Sequence, residues 1–325
     1  MAFLSIVFEG APYILVGTVL SGFIDAFLPS KLIDRALPRN KVLATLIAGF
    51  LGLVFPVCEC AIVPVIRRLV QKGLPISCAV TYMLAAPIVN PIVAVSTATA
   101  FKESVKLFQW SDLTHPGDLI QHLCAAAPMM VSRLSLGYVV AVLAGLVVIF
   151  FKPSQILRAK IVESIDAAKA LRDASVGVAA RIGFDTKLVQ AMRTAMRDFL
   201  DTGMYFAIGV GITSFFNTQV NQAILDQVAG NEWIAIPAIM LLAVVLSLCS
   251  TSDAFIAAPM ASFDAAAKLA FLVYGPMMDI KLLFMYSSVF KRRIVFGMLI
   301  GLLIVIGLLS GPWTQMIQHL ATPKS

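Results

Sequence analysis

Charged residues are scarce in this 325-residue sequence. Only 13% are Asp, Glu, Lys or Arg, whereas soluble domains average about 25%, and 59% of the residues are hydrophobic. The chain has three histidines and lacks Walker A, GxGxxG and HExxH motifs, which argues against nucleotide hydrolysis and zinc protease chemistry. Its apolar runs are continuous and do not alternate with polar residues, which argues against membrane β-strands. The class that remains is an all-α membrane protein.

Long apolar segments recur from Phe3 to Trp313, most of them near the ~20 residues that cross a bilayer as a helix. The chain is therefore predicted to be polytopic. Its first segment carries Glu9 and Pro12 and follows no basic stretch, so we expect a retained membrane helix and not a cleavable signal. The net charge is +7, but the basic residues stand between apolar segments. This placement indicates a cytoplasmic-side bias and not nucleic-acid binding.

A polar, basic stretch at 152–197 separates two apolar units. It holds nine Lys or Arg against four Asp or Glu. An amphipathic helix with basic flanks lies on a membrane surface, and a plain solvated linker is the alternative. The residues predicted to form its apolar stripe are Leu157, Ile161, Ile165 and Leu171. We therefore predict a first transmembrane repeat at 1–151, a basic cytoplasmic linker at 152–197 and a second transmembrane repeat at 198–325.

The two apolar units share residues at a nearly constant offset, as an old duplication with small insertions would leave them. At an offset of 192 residues, the matched pairs are Glu9 and Asp201, Tyr13 and Tyr205, Gly17 and Gly209, and Phe23 and Phe215. At offsets of 191 and 189 residues, the pairs are Asn40 and Asn231, Cys58 and Cys249, Pro87 and Pro276, and Asn90 and Asp279. The sequence therefore predicts an internal repeat.

The distribution of Lys and Arg predicts the orientation of each half, because basic loops stay in the cytoplasm. The basic loops are 29–41, 67–72, 152–197 and 291–293. The loops expected outside, which together hold two lysines, are 102–118 and 217–232. The chain between two loops on the same side must enter the membrane and return. We predict two inverted repeats, each with three net-spanning helices plus a broken or re-entrant helical hairpin, an architecture of secondary transporters.

The first hairpin apex reads Pro56-Val-Cys58-Glu59-Cys60-Ala-Ile-Val-Pro64. The two prolines predict an interrupted helix, and irregular backbone at membrane depth is tolerated only around a cavity or a buried site. Glu59 is ionisable within an apolar run, which favours a functional role. The thiols of Cys58 and Cys60 suit soft ligands such as Cu(I), trivalent arsenic or antimony. The alternative is that both cysteines are small core residues.

The second hairpin apex is a run of hydroxyls that ends in an acid: Cys249-Ser250-Thr251-Ser252-Asp253. Such a run can coordinate a solute or a cation. Ser252 or Asp253 can also cap the next helix, since both residue types are favoured at helix N-termini. Arg133, within the apolar segment 121–151, is expected to pair with Asp201 or Glu59.

A third pair of motifs occupies equivalent places in the two halves: Pro87-Ile-Val-Asn90-Pro91 and Gly275-Pro276-Met-Met-Asp279. Pro87, Pro91, Gly275 and Pro276 predict kinks, each followed by one polar side chain. As pseudo-symmetric partners, Asn90 and Asp279 are expected to face each other across the central axis. Asp279 is a candidate proton carrier, or else the salt-bridge partner of Lys281.

The inverted arrangement brings the two apices together near the midplane of the bilayer. Cys58, Cys60 and Cys249 are then predicted to surround one point, where three sulfurs could hold a trivalent metalloid or a soft metal ion. We expect Cys78 and Cys124 to be ordinary core residues. The substrate-binding set predicted from the sequence is Cys58, Glu59, Cys60, Asn90, Cys249, Ser250, Thr251, Ser252, Asp253 and Asp279.

The motifs above and two shorter ones, Lys72-Gly73 and Ser96-Thr97, spread over both halves. With them the chain resembles the family of predicted permeases that includes the bacterial organoarsenical efflux permeases. Those exporters typically have Cys-Ser-Cys where this chain has Cys58-Glu59-Cys60. The resemblance therefore implies a permease of an uncharacterised branch, in the inner (plasma) membrane of a bacterium, with arsenical efflux as one alternative.

The function that these observations favour is a secondary transporter, not an enzyme, that needs no cofactor. It would export a small soft or thiol-reactive solute such as a trivalent metalloid or an organoarsenical, with coupling to protons through Glu59, Asp253 or Asp279. The alternatives are a membrane subunit of a multi-component permease or channel, a transporter of a sulfur-containing anion, and a membrane thiol-redox enzyme. A homo-oligomer or an accessory subunit stays open; the lipid bilayer is an expected partner and nucleic acid is not.

Overall fold

The computed structural model describes residues 2–28, 38, 40–54, 58–103, 126–174, 184–217 and 232–321. Within these ranges the secondary structure is helical, apart from an isolated bridge between Leu157 and Phe290. The prediction of an all-α, multi-pass membrane protein is confirmed. Three predicted loops, 29–41, 102–118 and 217–232, lie mostly outside the described residues.

The described helices follow the predicted division of the chain. Those of the first half are α1 (Ala2–Phe27), α2 (Lys41–Gly49), α3 (Leu51–Val54), α4 (Glu59–Gln71), α5 (Ile76–Ala85), α6 (Pro91–Ala100) and α7 (Pro128–Val148). Those of the linker are α8 (Pro153–Ile156) and α9 (Ala159–Ala174). Those that build the second half are α10 (Phe184–Asn217), α11 (Glu232–Leu246), α12 (Asp253–Ala257), α13 (Ala265–Met277), α14 (Ile280–Val289) and α15 (Arg292–Ala321).

Four stretches in the described ranges are long and apolar enough to cross a membrane: Gly10–Phe27, Pro128–Val148, Ala265–Val289 and Arg292–Ala321. The shorter apolar helices are Lys41–Leu53, Ile76–Ala85, Pro91–Ala100 and Ala235–Leu246. A helix of ten residues rises ~15 Å, about half of the hydrocarbon core. The short helices therefore cross only part of the bilayer each, as broken hairpins require.

The two halves pack in a reciprocal pattern. Helix α5 packs on α7 as α13 packs on α15, and α2 packs on α5 as α11 packs on α13. Across the halves, α4 packs on α14 while α12 packs on α6, and α1 lies along α10. A repeat related by a twofold axis produces such pairs. The opposite orientation of the halves in the membrane stays a prediction.

Equivalent polar residues begin two of the short helices. Asn90 accepts a 2.9 Å hydrogen bond from the backbone N–H of Ile92 at the start of α6. Asp279 accepts a 2.6 Å hydrogen bond from the backbone N–H of Leu282 at the start of α14. Each side chain satisfies a helix N–H that would otherwise be buried without a partner. The matched pair of the repeat therefore has the same structural role in both halves.

Helix α4 is held along its length by the helices of both halves. At its outer end, the Arg68 guanidinium makes two hydrogen bonds of 2.7 and 2.9 Å to the buried Asp198 carboxylate of α10. Along its middle, α1 approaches closely because Gly17 lacks a side chain. A Cβ at Gly17 would lie 2.5 Å from the Cβ of Ala61. These contacts fix the position of Glu59 and Cys60 at the start of α4.

The basic linker differs from the simple surface helix that its pattern predicts. Leu157 and Ile161 are buried in the core, and α9 packs against α4, with Gln71 donating to the Ser164 hydroxyl at 3.0 Å. The first part of the apolar stripe thus packs on protein instead of lipid, while nothing is described of the side chain of Leu171. Helix α10 already begins at Phe184, so its first fourteen residues belong to the predicted linker.

Candidate functional site

The helix breaks of both halves surround one small enclosed cavity. Its volume is about 30 Å³, enough for a water-sized molecule but too small for most solutes. The residues that line it are Gly10, Tyr13, Cys58, Glu59, Cys60, Phe206, Ser247, Leu248, Cys249 and Lys281. Six of them flank the two predicted apices or belong to them. In this conformation the cavity is therefore a closed site between the halves.

Glu59 is the first residue of α4 and is 1% exposed. One of its oxygens, Oε1, lies 3.4 Å from Nζ of Lys281 on α14. The other, Oε2, accepts a 3.2 Å hydrogen bond from the hydroxyl of Ser250 at the second apex. A single carboxylate of the first half thus contacts two separate elements of the second half.

Lys281 is the centre of a buried charge cluster. Its Nζ donates to the carbonyl oxygen of Ser247 at 2.9 Å and lies 3.4 Å from Oδ2 of Asp279. Although Asp279 is fully buried, its Oδ2 accepts no hydrogen bond within the described part of the chain. The ammonium group therefore balances two carboxylates, Glu59 and Asp279, in surroundings that exclude water.

A second buried ion pair lies beyond Ser250. Arg133 of α7, 1% exposed, contacts Oδ2 of Asp253 at 2.7 Å. The same guanidinium donates to the Thr97 hydroxyl at 2.8 Å and to the Ser250 carbonyl oxygen at 2.9 Å. Because Ser250 also contacts Glu59, the two charge clusters are connected through one residue.

The partner of Arg133 corrects the expectation from the sequence. Neither Asp201 nor Glu59 pairs with it: Asp201 lies 3.3 Å from Arg67 at the outer end of α4, and Glu59 pairs with Lys281. The physical reason is position along the helices, since α7 passes the second hairpin apex and not the outer end of α10. The alternative partner for Asp279, Lys281, is present at 3.4 Å.

Three cysteines line the cavity, as the repeat predicts. Cys60 is buried, while Cys58 and Cys249 are half-buried, and all three are free thiols. The Cys249 sulfur lies 3.5 Å from the Thr251 hydroxyl. Among the described residues, however, no group of three His, Cys, Asp or Glu side chains is placed to hold a metal ion. The thiols therefore share a cavity without forming a metal centre in this conformation.

The remaining predicted site residues lie around the cavity and not in its wall. Ser252 donates to the Cys249 carbonyl oxygen at 3.1 Å and makes no side-chain cap, although it precedes α12. Asp253 begins α12 and binds Arg133 instead. Asn90 caps α6, which packs against α12. These residues support the second apex from behind.

The predicted kinks fall at helix ends more often than inside helices. Pro87 lies in the turn between α5 and α6, and Pro91 is the first residue of α6. Gly275 and Pro276 close α13, which ends at Met277. Pro64 does not interrupt its helix: α4 runs from Glu59 through it to Gln71. Since Pro64 lacks an N–H, it leaves the carbonyl group of Cys60 without its helical partner. Pro56 lies outside the described residues.

Sequence reasoning missed the central role of Lys281. It was considered only as a neighbour of Asp279, although its ammonium group bridges to Glu59 in the other half. The signal was available, because a lysine inside an apolar segment is itself a candidate functional residue. What the sequence does not contain is the distance across the halves.

A multi-pass bundle with broken helices around a closed, charged cavity is the structure of a membrane permease. Sequence comparison agrees: the chain belongs to the family described as "Predicted permease", whose model matches residues 1–111 and 121–315. The "UPF0718 protein YcgR" of Bacillus subtilis (strain 168) is 36% identical over 305 residues, covering 94% of this chain and 92% of that protein.

A second relative comes from Streptococcus mutans serotype c (strain ATCC 700610 / UA159) and is named "Putative two-component membrane permease complex subunit". It is 34% identical over 296 residues, which cover 90% of this chain and 87% of the relative. No solved structure matches the chain. The expected resemblance to predicted permeases is confirmed at the level of the family.

Proposed function

We propose that this protein is a secondary transporter whose solute passes the cavity between the two halves. The observation that supports this most is the buried ion pair between Glu59 of α4 and Lys281 of α14, which joins the halves at the cavity wall. Burying such a pair costs several kcal/mol per ion, so it is a poor device for stability alone. Charged groups at membrane depth are typical of solute and ion pathways.

The route to the cavity runs along α4. A larger cavity of about 210 Å³ lies near the outer end of this helix, lined by Val63, Pro64, Arg67, Asp201 and Tyr205 among others. Val63 and Pro64 follow the cavity-lining Glu59 and Cys60 by about one helical turn. The larger cavity is therefore a vestibule on the side of the linker. Movement of α4 relative to α10 would connect it with the closed site.

The charge balance of the site favours coupling to a cation. Three buried carboxylates, Glu59, Asp253 and Asp279, face two buried cations, Lys281 and Arg133. Full ionisation would leave one negative charge, which is costly in a low-dielectric interior. A proton bound to one carboxylate would remove that cost, and its release would change the ion pairs that join the halves.

The solute that suits this cavity is small and soft, and we propose export as the direction. The thiols of Cys58, Cys60 and Cys249 could close on such a solute once it enters, since thiols prefer soft ligands. A sulfur-containing anion is the alternative solute, because Lys281 offers a positive charge. A second candidate role, the membrane subunit of a two-component permease, is favoured by the name of the Streptococcus relative.

Transport by the purified protein tests the proposal. Proteoliposomes would be loaded in turn with a trivalent organoarsenical, antimonite, Cu(I) and sulfite, and protein-dependent movement of at least one compound is expected. Glu59→Gln should abolish that movement because it breaks the pair with Lys281. Glu163→Gln, in the exposed part of α9, is the matched control and should retain it.

Failure of the protein alone to move any compound would argue against a self-sufficient transporter. Movement that appears only after co-expression with an accessory subunit would support the two-component alternative. Membrane expression of each variant is compared first, so that a folding defect is not scored as a transport defect.

Inverted halves predict the side on which each loop is labelled. In a variant without native cysteines, single cysteines near positions 35, 70, 175 and 292 should react with a membrane-impermeant maleimide only after cell lysis. Single cysteines near positions 110 and 225 should react in intact cells, after removal of any outer membrane. Labelling of positions 110 and 225 on opposite sides would contradict the inverted arrangement, and with it the cytoplasmic location of the linker.

A further inference from the structure

An open apolar groove runs between α7 and α15, far from the charged cavity. Its volume is about 350 Å³. One wall contains Leu143 and Val147 of α7, which are 42% and 57% exposed. The other wall is α15, from Arg293 to Val305. Both helices are long and apolar enough to span the membrane, so the groove faces the lipid.

Two glycines create the depth of this groove. Gly297 and Gly301 both line it, and their spacing of four residues places them on one face of α15. A Cβ built at either position would meet no atom within 4 Å. The glycines therefore do not serve close helix packing here. They leave a channel in the protein surface that other side chains would fill.

The groove has the length of one leaflet of a bilayer. From Arg293 to Val305, twelve residues of helix rise ~18 Å. Half of the hydrocarbon core is ~15 Å thick. An acyl chain that starts at the level of Arg293 would therefore end near the bottom of the groove. Arg293 then lies where the lipid headgroups are.

The polar end of the groove is positively charged. Arg293 is exposed, and so are its neighbours Lys291 and Arg292. In the described ranges, neither arginine of this group has an acidic partner within ion-pair distance. A guanidinium matches the geometry of a phosphate group, and basic pockets between membrane helices bind anionic headgroups.

We propose that this groove binds one anionic phospholipid, with an acyl chain along Gly297 and Gly301 and its phosphate group on Arg293. The site is separate from the transport pathway and does not depend on the identity of the solute. A membrane helix could also approach two glycines at this spacing. Such a helix would leave Arg293 without a counter-charge, so the charge at the end of the groove favours the lipid.

The test is native mass spectrometry of delipidated protein with phosphatidylglycerol or phosphatidylcholine of identical acyl chains. Phosphatidylglycerol should be retained at one molecule per chain, and more strongly than phosphatidylcholine. Arg293→Gln should weaken its retention about fivefold, the effect of one basic residue near a membrane surface. Gly301→Leu should abolish retention, because the leucine side chain would fill the groove.

Two variants on the same helix serve as matched controls. Arg292→Gln removes an equal charge beside the groove, and Gly311→Leu adds an equal side chain at another open position of α15. Both should retain phosphatidylglycerol as the unmodified protein does. Equal retention of the two lipids, or an unchanged Arg293→Gln variant, would overturn the proposal. So would a Gly301→Leu variant that separates an oligomer into single chains, since the groove would then hold a helix.

Discussion

Replacing Arg133 with methionine is expected to destabilise the folded protein by about 3–5 kcal/mol. The substitution leaves the Asp253 carboxylate, which is almost fully buried, without its 2.7 Å partner. It also removes the hydrogen bonds that Arg133 donates to Thr97 and to the Ser250 carbonyl oxygen. The measurement is thermal or denaturant unfolding in a fixed detergent, followed by tryptophan fluorescence.

Two further variants show whether burial of the charge causes the loss. Arg133→Met combined with Asp253→Leu removes both charges and should recover most of the stability, because a buried pair can be replaced by apolar residues at little cost. Arg67→Met breaks an exposed pair with Asp201, whose side chains are 30% and 52% exposed, and should cost no more than ~1 kcal/mol. If Arg133→Met and Arg67→Met lose equal stability, the interior pair does not anchor the second apex.

The sequence predicts the position of the site because its signals are local. Prolines, glycines and polar residues inside apolar runs indicate where helices break, and the repeat indicates which breaks are equivalent. Cys58 and Cys249 were placed together on that basis, and both line the cavity. Asn90 and Asp279 were matched in the same way, and both cap a short helix.

The sequence does not predict which buried charges pair. Arg133 has several acidic residues within plausible reach, and the choice depends on how far α7 extends past the second apex. Lys281 reaches Glu59 because α14 packs against α4, a contact between residues 222 positions apart. Periodicity and composition carry no information about such a contact.

Two local expectations failed for physical reasons. Pro64 was expected to interrupt a helix, but it stands in the second turn of α4, where the helix continues past it. The linker was expected on the membrane surface, but Leu157 and Ile161 find a better apolar partner in the protein core. In both cases the surrounding packing outweighs the local preference.

The thiol hypothesis predicts the largest effect on function. Cys58→Ser, Cys60→Ser and Cys249→Ser should each abolish export of a soft compound, because the weaker affinity of a hydroxyl for soft ligands removes one contact with the solute. The assay is the growth of a deletion strain that expresses each variant, on arsenicals, antimonials and copper. Equal membrane expression is required before growth is compared.

Cys78→Ser is the matched control. Cys78 is also a buried free thiol, but it lies on α5 and does not line the cavity. Its replacement should leave resistance close to that of the unmodified protein. A variant with serine at 58, 60 and 249 separates the two interpretations of the site. If it retains full activity, thiol coordination is excluded, and the solute must be recognised by Glu59, Lys281 and the hydroxyls of the second apex. Such a site would favour a harder, oxygen-liganded solute. If activity is lost while the Cys78→Ser protein remains active, the effect is specific to the sulfurs at the cavity and not to any buried thiol of the bundle.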